Sequence, residues 1–305
     1  MVLDVSAGDV IARDVTPGIV TARNAFQEKE IRGLDALDLG SFTPPRSHAV
    51  WGATWPKLAA AALALGLWQL LAISGWKASY VLPGPVPVFA ELGQLLVTQD
   101  FWTAVTITIT RGVVGFVLAA VLGLVLGVLV ARSRILRAAI GSLITGLQTM
   151  PSIAWFPLAI LLFQLSEQAI LFVILIGAVP SIANGIIGGV DYVPALLVRA
   201  GRNIGASGPS LYRHVILPAA LPSIVSGLKQ GWAFAWRSLL AGELLVSIAN
   251  RPSLGVFLTQ SRELSDTTYM IALMVAILAI GIGVDAVFSS IERGIRRRRG
   301  VVVNG

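Results

Sequence analysis

Three charged residues, Lys229, Arg237 and Glu243, sit inside an otherwise apolar run, residues 217–249. A cation deep in a membrane span costs on the order of 3 kcal/mol, so it should face a cavity or a partner. Lys229 and Arg237 are eight residues apart, which separates them by roughly 80° at 3.6 residues per turn. They could share one broad face with Trp232 and Trp236. Two uses stay open. The cations could help a pathway tolerate an anion, or they could pair with Glu243 or Asp285 or snorkel to an interface. Glu243 could line the same pathway or neutralise Arg237 of a second copy. On one helix Arg237 and Glu243 point to different sides, so they do not pair with each other.

Other chemistry is excluded by what the chain lacks. There is no cysteine, which removes disulfides and thiolate metal sites. His48 and His214 lie far apart and leave little material for a transition-metal site. No Gly-Lys dipeptide occurs, so no phosphate-cradling loop of the Walker type exists, and HExxH, GxSxG and CxxC are absent. The chain is not its own ATP engine and shows no nucleophile or metal set. A conduit, a carrier or a scaffold remains.

The elements that position these residues read as membrane spans. Hydrophobic residues make up 55% of the chain and charged ones 13%, with a mean hydropathy of +0.80. A soluble domain of 305 residues would need far more polar surface. Six apolar spans are expected, at residues 57–75, 103–131, 135–165, 168–190, 217–249 and 267–291. Each approaches or exceeds the roughly 20 helical residues that cross a ~30 Å hydrocarbon core. The over-long ones imply tilt, kinks or extension beyond the lipid. Gly115, Ala119, Gly123 and Gly127 recur every four residues, as do Gly185 and Gly189, which lets helices approach closely. Pro151, Pro157, Pro180 and Pro222 should interrupt or kink spans. Trp51, Trp55 and Trp76 are placed as interface anchors.

The net charge of +7 could suit nucleic acid, but the placement of the basic residues suits a membrane. With both termini inside, Arg132, Arg134, Arg137, Arg199, Arg202, Arg213, Arg293 and Arg296 through Arg299 fall on the cytoplasmic side. Only Lys77, Arg251 and Arg262 fall outside. Residues 1–50 form a polar tail without the pattern of a cleavable signal peptide, and their composition implies a disordered cytoplasmic segment. Residues 51–297 would form the membrane domain and 298–305 a short cytoplasmic tail.

Between the fourth and fifth spans lies a charged, turn-containing segment, residues 198–218. Pro194 could open a short helix over 195–204, with Gly205 ending it as a C-terminal glycine does. A second short helix over 208–214 would precede Leu217-Pro218, where the next span begins. Exposed Arg199, Arg202 and Arg213 would make a docking surface for a protein or for anionic lipid.

The spacing of that segment resembles the EAA loop of ABC importer permeases, which reads Glu-Ala-Ala, three residues, Gly, nine residues, Ile, one residue, Leu-Pro. Here the matching residues are Arg199, Ala200, Gly201, Gly205, Val215, Leu217 and Pro218, with Arg202 beside them. Arg199 replaces Glu, Gly201 replaces the second Ala and Val215 replaces Ile. The reversed charge removes the basis for carrying over a specific ion pair. Within these permeases the chain is similar to the subfamily importing sulfonates, taurine, nitrate or bicarbonate, from about Trp55 to Arg297. Trp68, Leu82-Pro83-Gly84-Pro85, the run PSIAWFPLAILLF at 151–163 and WRSLLAGE at 236–243 carry that likeness. Gln164 and Ser166 depart from glycines frequent in relatives, before an acid matched by Glu167.

The resemblance implies an all-α polytopic bundle of the type I ABC importer permease fold, in a bacterial inner membrane, with residues 191–217 as the coupling loop. It implies a homodimer, two ABC ATPase subunits that bind ATP and Mg, and an extracytoplasmic substrate-binding protein. The permease itself would hold no cofactor and contact lipid but no nucleic acid. An aliphatic sulfonate is the first expectation for the solute; taurine, nitrate, bicarbonate and a thiamine-precursor pyrimidine follow. An ATP-independent carrier or channel is the rival from another class, and it leaves the loop spacing unexplained.

Overall fold

The computed structural model describes residues 46–249 and 251–298, with side chains described between 55 and 295. Of the tails expected at 1–50 and 298–305, residues 1–45 and 299–305 lie outside the described residues, as do the side chains of His48, Trp51 and the arginine cluster from Arg296. Two compact units divide at Gly66 and Leu67. The described part of the first unit is entirely helical, the opening stretch of α1 (Arg46–Ile73).

The second unit is built from helices alone among its described residues: α2 (Pro85–Leu95), α3 (Gln99–Arg132), α4 (Arg134–Thr149), α5 (Phe156–Phe163), α6 (Glu167–Asp191), α7 (Ala195–Asn203), α8 (Gly208–Leu211), α9 (Leu217–Leu245), α10 (Leu254–Glu263) and α11 (Thr267–Arg298). Helix α6 is the centre, packed between α3 on one side and α9 on the other, and its Ile170, Val173, Ile174, Ile182 and Ile186 are buried. The four-residue glycine rhythm of α3 forms one seam. A Cβ on Gly115, Gly123 or Gly127 would come within 2.9 Å of Ile174, 2.8 Å of Ile182 or 2.8 Å of Ile186. The second seam is closer still, because a Cβ on Gly185 would lie 2.5 Å from the Cα of Gly227. The two helices meet there backbone to backbone.

Among the described residues five helices are long and apolar enough to cross a membrane, or six if one bent pair is counted as a span. That pair corrects the expected continuous span at 135–165. Helix α4 stops at Thr149, Met150 is extended (φ −73°, ψ 133°), and a 3-10 turn over Ser152–Trp155 leads into α5 at an angle of 104°. Pro151 is the reason, since a proline ring pushes the preceding residue out of the helical region. Pro157 does not kink anything; it occupies the first turn of α5, where its missing N–H costs nothing. Pro180 and Pro222 do lie inside α6 and α9.

The loops hold helices that the apolar pattern did not announce. Ser253 caps α10, its Oγ accepting from the Val256 N–H at 3.4 Å, and α2 opens with Pro85 in its first turn. Trp68 donates its indole N–H to the carbonyl of Pro83 at 3.1 Å, which ties the Leu-Pro-Gly-Pro turn to α1.

Candidate functional site

The short-helix segment at 194–218 is built as one piece. Helix α7 follows Pro194 and ends through a Schellman motif. The N–H of Gly205 donates to the carbonyl of Arg202, and that of Ala206 to the carbonyl of Gly201, both at 3.0 Å. Gly205 has φ +88°, a left-handed conformation that side chains disfavour. Gly201 is buried, and a Cβ there would press to 2.9 Å from Val215 Cγ2 and 3.0 Å from Leu211 Cδ1. Two positions that depart from the motif, Gly201 and Val215, therefore touch each other. Arg199, Ala200, Arg202, Gly205 and Arg213 are exposed, together with Leu196 and Ile204.

The second short helix expected at 208–214 is not separate from the next span. Helix α8 passes through a π-turn, Tyr212–Ile216, straight into α9, giving one helix over Gly208–Leu245. The N–H of Leu217 reaches back to the carbonyl of Tyr212. A proline at position 218 cannot donate and crowds the carbonyl four residues earlier, that of His214. The wider π-turn accommodates it without breaking the helix. Leu217 and Pro218, both half-buried, thus mark the widened turn rather than a helix start.

Of the charged residues within α9, Glu243 and Lys229 are paired and Arg237 is open. Lys229 Nζ lies 3.2 Å from Asp285 Oδ1 and donates to Ser289 Oγ at 2.8 Å, both on α11. Arg237 is exposed; its Nε donates to the Ala233 carbonyl and its guanidinium stacks over Phe234 at 4.7 Å. Arg237 lines a groove of about 620 Å³ between α9 and α11, with Trp232, Trp236, Gly281 and Asp285. The two tryptophans stack with centroids 6.1 Å apart. Glu243 is 1% exposed.

The partner of Glu243 is a residue that the charge pattern within α9 does not reveal. Arg111, on α3, donates Nη1 to Glu243 Oε1 at 2.9 Å. Its Nε and Nη2 form a bidentate pair with Glu167 at 2.8 and 2.7 Å. The Glu243 carboxylate also accepts from Thr108 Oγ1 and from the Gly255 N–H at 3.2 Å, while the Leu254 N–H donates to Thr108 Oγ1. Arg251 approaches Glu167 at 3.4 Å from the exposed side. Two acids and two bases from α3, α6, α9 and the loop before α10 thus close one end of the bundle. The signal was present in sequence as a lone cation within the second span, with acids at the start of α6 and the end of α9. Near the other end, Arg137 bridges Asp191 at 2.9 Å. Among the described residues no group of three or more His, Asp or Glu side chains is arranged for a metal ion.

Residues 119–297 match the model of the binding-protein-dependent transport system inner membrane component family. The chain belongs to this family. An ABC transporter permease of Methanocaldococcus jannaschii is 34% identical over 240 residues, covering 77% of this chain and 89% of the relative. The bicarbonate transport permease CmpB of Synechococcus elongatus is 30% identical, over 76% of this chain and 85% of its own. The aliphatic sulfonates transport permease SsuC of Bacillus subtilis is 28% identical, over 78% and 85%. The MetNI methionine ABC transporter, solved in inward-facing conformations, superposes with a TM-score of 0.53 at 23% identity, over 66% of this chain and 96% of that one. The permease therefore has the type I ABC importer permease fold, in an inner-membrane family whose members are transport subunits rather than enzymes.

Proposed function

We propose that this permease is the membrane subunit of an ATP-driven importer of a small oxyanion, with an aliphatic sulfonate first and bicarbonate second. The observation that carries the reading is the joint between α7 and α9. An exposed basic helix is clasped by Gly201 against Val215, which sits on the π-turn that runs unbroken into α9 and its seam with α6. A force applied to α7 would reach α9 as a lever through the Gly201–Val215 contact and the four-residue turn at 204–207. ATP and Mg would bind on two partner ATPase subunits docked at Arg199, Arg202 and Arg213. The termini and this face would lie in the cytoplasm, a second copy of the chain would complete the pathway, and an extracytoplasmic binding protein would deliver the solute. The relatives assigned to sulfonate and bicarbonate support the solute class, and the exposed Arg237 supports its charge.

The test is uptake of a radiolabelled alkanesulfonate, and separately of bicarbonate, by cells lacking the gene and by cells with it restored. Restored uptake should fall at least ten-fold in Gly205→Val with the protein still in the membrane. A β-branched residue at φ +88° strains the cap by about 1–2 kcal/mol and displaces α7. Full uptake in that variant would remove the lever from the mechanism.

A further inference from the structure

Helix α9 leaves one face open between Ser226 and Arg237. Its exposed residues from Ser226 onward are Ser226, Gln230, Ala233, Arg237 and the terminal Leu244 and Leu245. Ser226 to Arg237 recur every three or four residues and so lie on a single stripe, which Ser223 extends by one turn. The open face of α3 has the opposite character: Val114, Val117, Val121 and Val125 suit lipid tails. The α9 stripe does not, because in hydrocarbon the Gln230 amide and the two Nη groups of Arg237 would be left without hydrogen-bond partners. Among the described residues the side chains of Ser223, Ser226 and Gln230 make no hydrogen bond.

The stripe also borders a cavity. Ser223, Ser226 and Gln230 line a groove of about 450 Å³ with Asn184, Gly188 and Tyr192 of the α6 side, and no charged residue lines it. The Gly185–Gly227 crossing floors the groove with backbone. Asn184 is held by a 2.6 Å hydrogen bond from its Nδ2 to Gln148 Oε1. From Ser223 to Arg237 the stripe rises roughly 21 Å at 1.5 Å per residue, about two-thirds of a hydrocarbon core.

We infer that this stripe is the wet wall of the solute pathway, with Ser223, Ser226 and Gln230 offering neutral hydrogen-bond donors to a small oxyanion and Arg237 the one cation on the same wall. Neutral donors hold an anion weakly enough to release it, as a conducting site requires. Lys229 is off the stripe and neutralised by Asp285. The inference rests on the transport reading but assigns residues that reading leaves open.

The absence of cysteine makes the test clean. Single variants Ser223→Cys, Ser226→Cys and Gln230→Cys, with Val121→Cys as the lipid-face control, are treated with the anionic reagent methanethiosulfonate ethylsulfonate. The assembled transporter is used in open membranes, with and without a non-hydrolysable ATP analogue. The thiolate attacks the reagent sulfur, forming a mixed disulfide and releasing methanesulfinate. Stripe positions should react about ten-fold or more faster than Val121→Cys in at least one nucleotide state, since thiolate forms only where water reaches. Excess alkanesulfonate or bicarbonate, whichever is transported, should slow that labelling. If none of the three outpaces the control in either state, the stripe is dry and the inference falls while the importer reading stands. Rapid labelling that a transported solute does not slow also overturns it. Rapid labelling in a transporter that takes up neither anion supports a wet wall and overturns the proposed solute instead.

Discussion

Replacing Glu243 separates a structural role from a pathway role. Its carboxylate receives Arg111, Thr108 and the Gly255 N–H, and it is 1% exposed. Glu243→Leu leaves all three donors buried without their acceptor. Breaking a buried pair from one side costs about 3–5 kcal/mol. The lower end applies here, because Arg111 keeps its two bonds to Glu167. Glu243→Gln preserves shape but turns one acceptor into a donor. The Thr108 hydroxyl can rotate to suit the amide, whereas the Gly255 N–H and Arg111 cannot, so one clash remains and costs about 1–3 kcal/mol. The measurement is reversible denaturant unfolding of the purified permease in mixed micelles, run as a cycle with Arg111→Leu. A coupling energy of about 0.5–3 kcal/mol is expected for partners in one network. If Glu243→Leu loses less than about 0.5 kcal/mol, the size of an ordinary surface change, the network does not hold this end together. If Glu243→Gln keeps its stability but alters uptake, Glu243 belongs to the pathway after all.

Two further outcomes follow from the same contacts. Gly227→Ala places a methyl 2.8 Å from the Gly185 Cα and should cost about 1–3 kcal/mol in the same unfolding assay. Gly188→Ala, with nothing within 4 Å, should be neutral or stabilising by up to about 1 kcal/mol; equal effects would mean the seam is not close-packed. Arg237→Gln should slow anion uptake while membrane levels and co-purification with the ATPase stay unchanged, and undiminished uptake would remove Arg237 from the pathway.

The parts of this fold legible in sequence are those governed by local or periodic rules. The glycine rhythm of α3 marks a close seam because any residue at those positions would meet an isoleucine of α6. Gly205 announces its cap because the conformation it adopts is a property of one residue and its neighbours. Hydropathy, by contrast, is blind to direction. It joins 135–165 into one span although Met150 and Pro151 turn the chain through 104°. It equally places a boundary at Leu217-Pro218, where a π-turn carries the helix onward. The Arg111–Glu243 pair spans 132 residues of chain. A sequence supplies the charges but not their separation in space, so Glu243 could be read as a pathway residue. The open stripe of α9 is hidden for a related reason: which face stays uncovered depends on where α3, α6 and α11 pack.

Those two seams also constrain where a pathway can open. Helices α3, α6 and α9 are locked by glycine contacts with no slack, and at the α6–α9 crossing the contact is backbone on backbone. Sliding or parting them would open a void along the most buried surfaces of the protein, at a cost of several kcal/mol for each large apolar side chain uncovered. At one end the Arg111 cluster joins α3, α6 and α9 to the start of α10, so that end resists separation too. Under the proposed function the three helices then move as one block when α7 is pushed. The stripe is wetted or dried by what lies across from it, not by rearrangement within the chain. A second copy of the permease is the body the reading supplies for that position. Gly227→Ala bears on this as well as on stability: loosening the α6–α9 crossing should uncouple the lever from the wall, lowering uptake more than it lowers the amount of folded protein. Loss of uptake in strict proportion to folded protein would mean that the block does not need to be rigid.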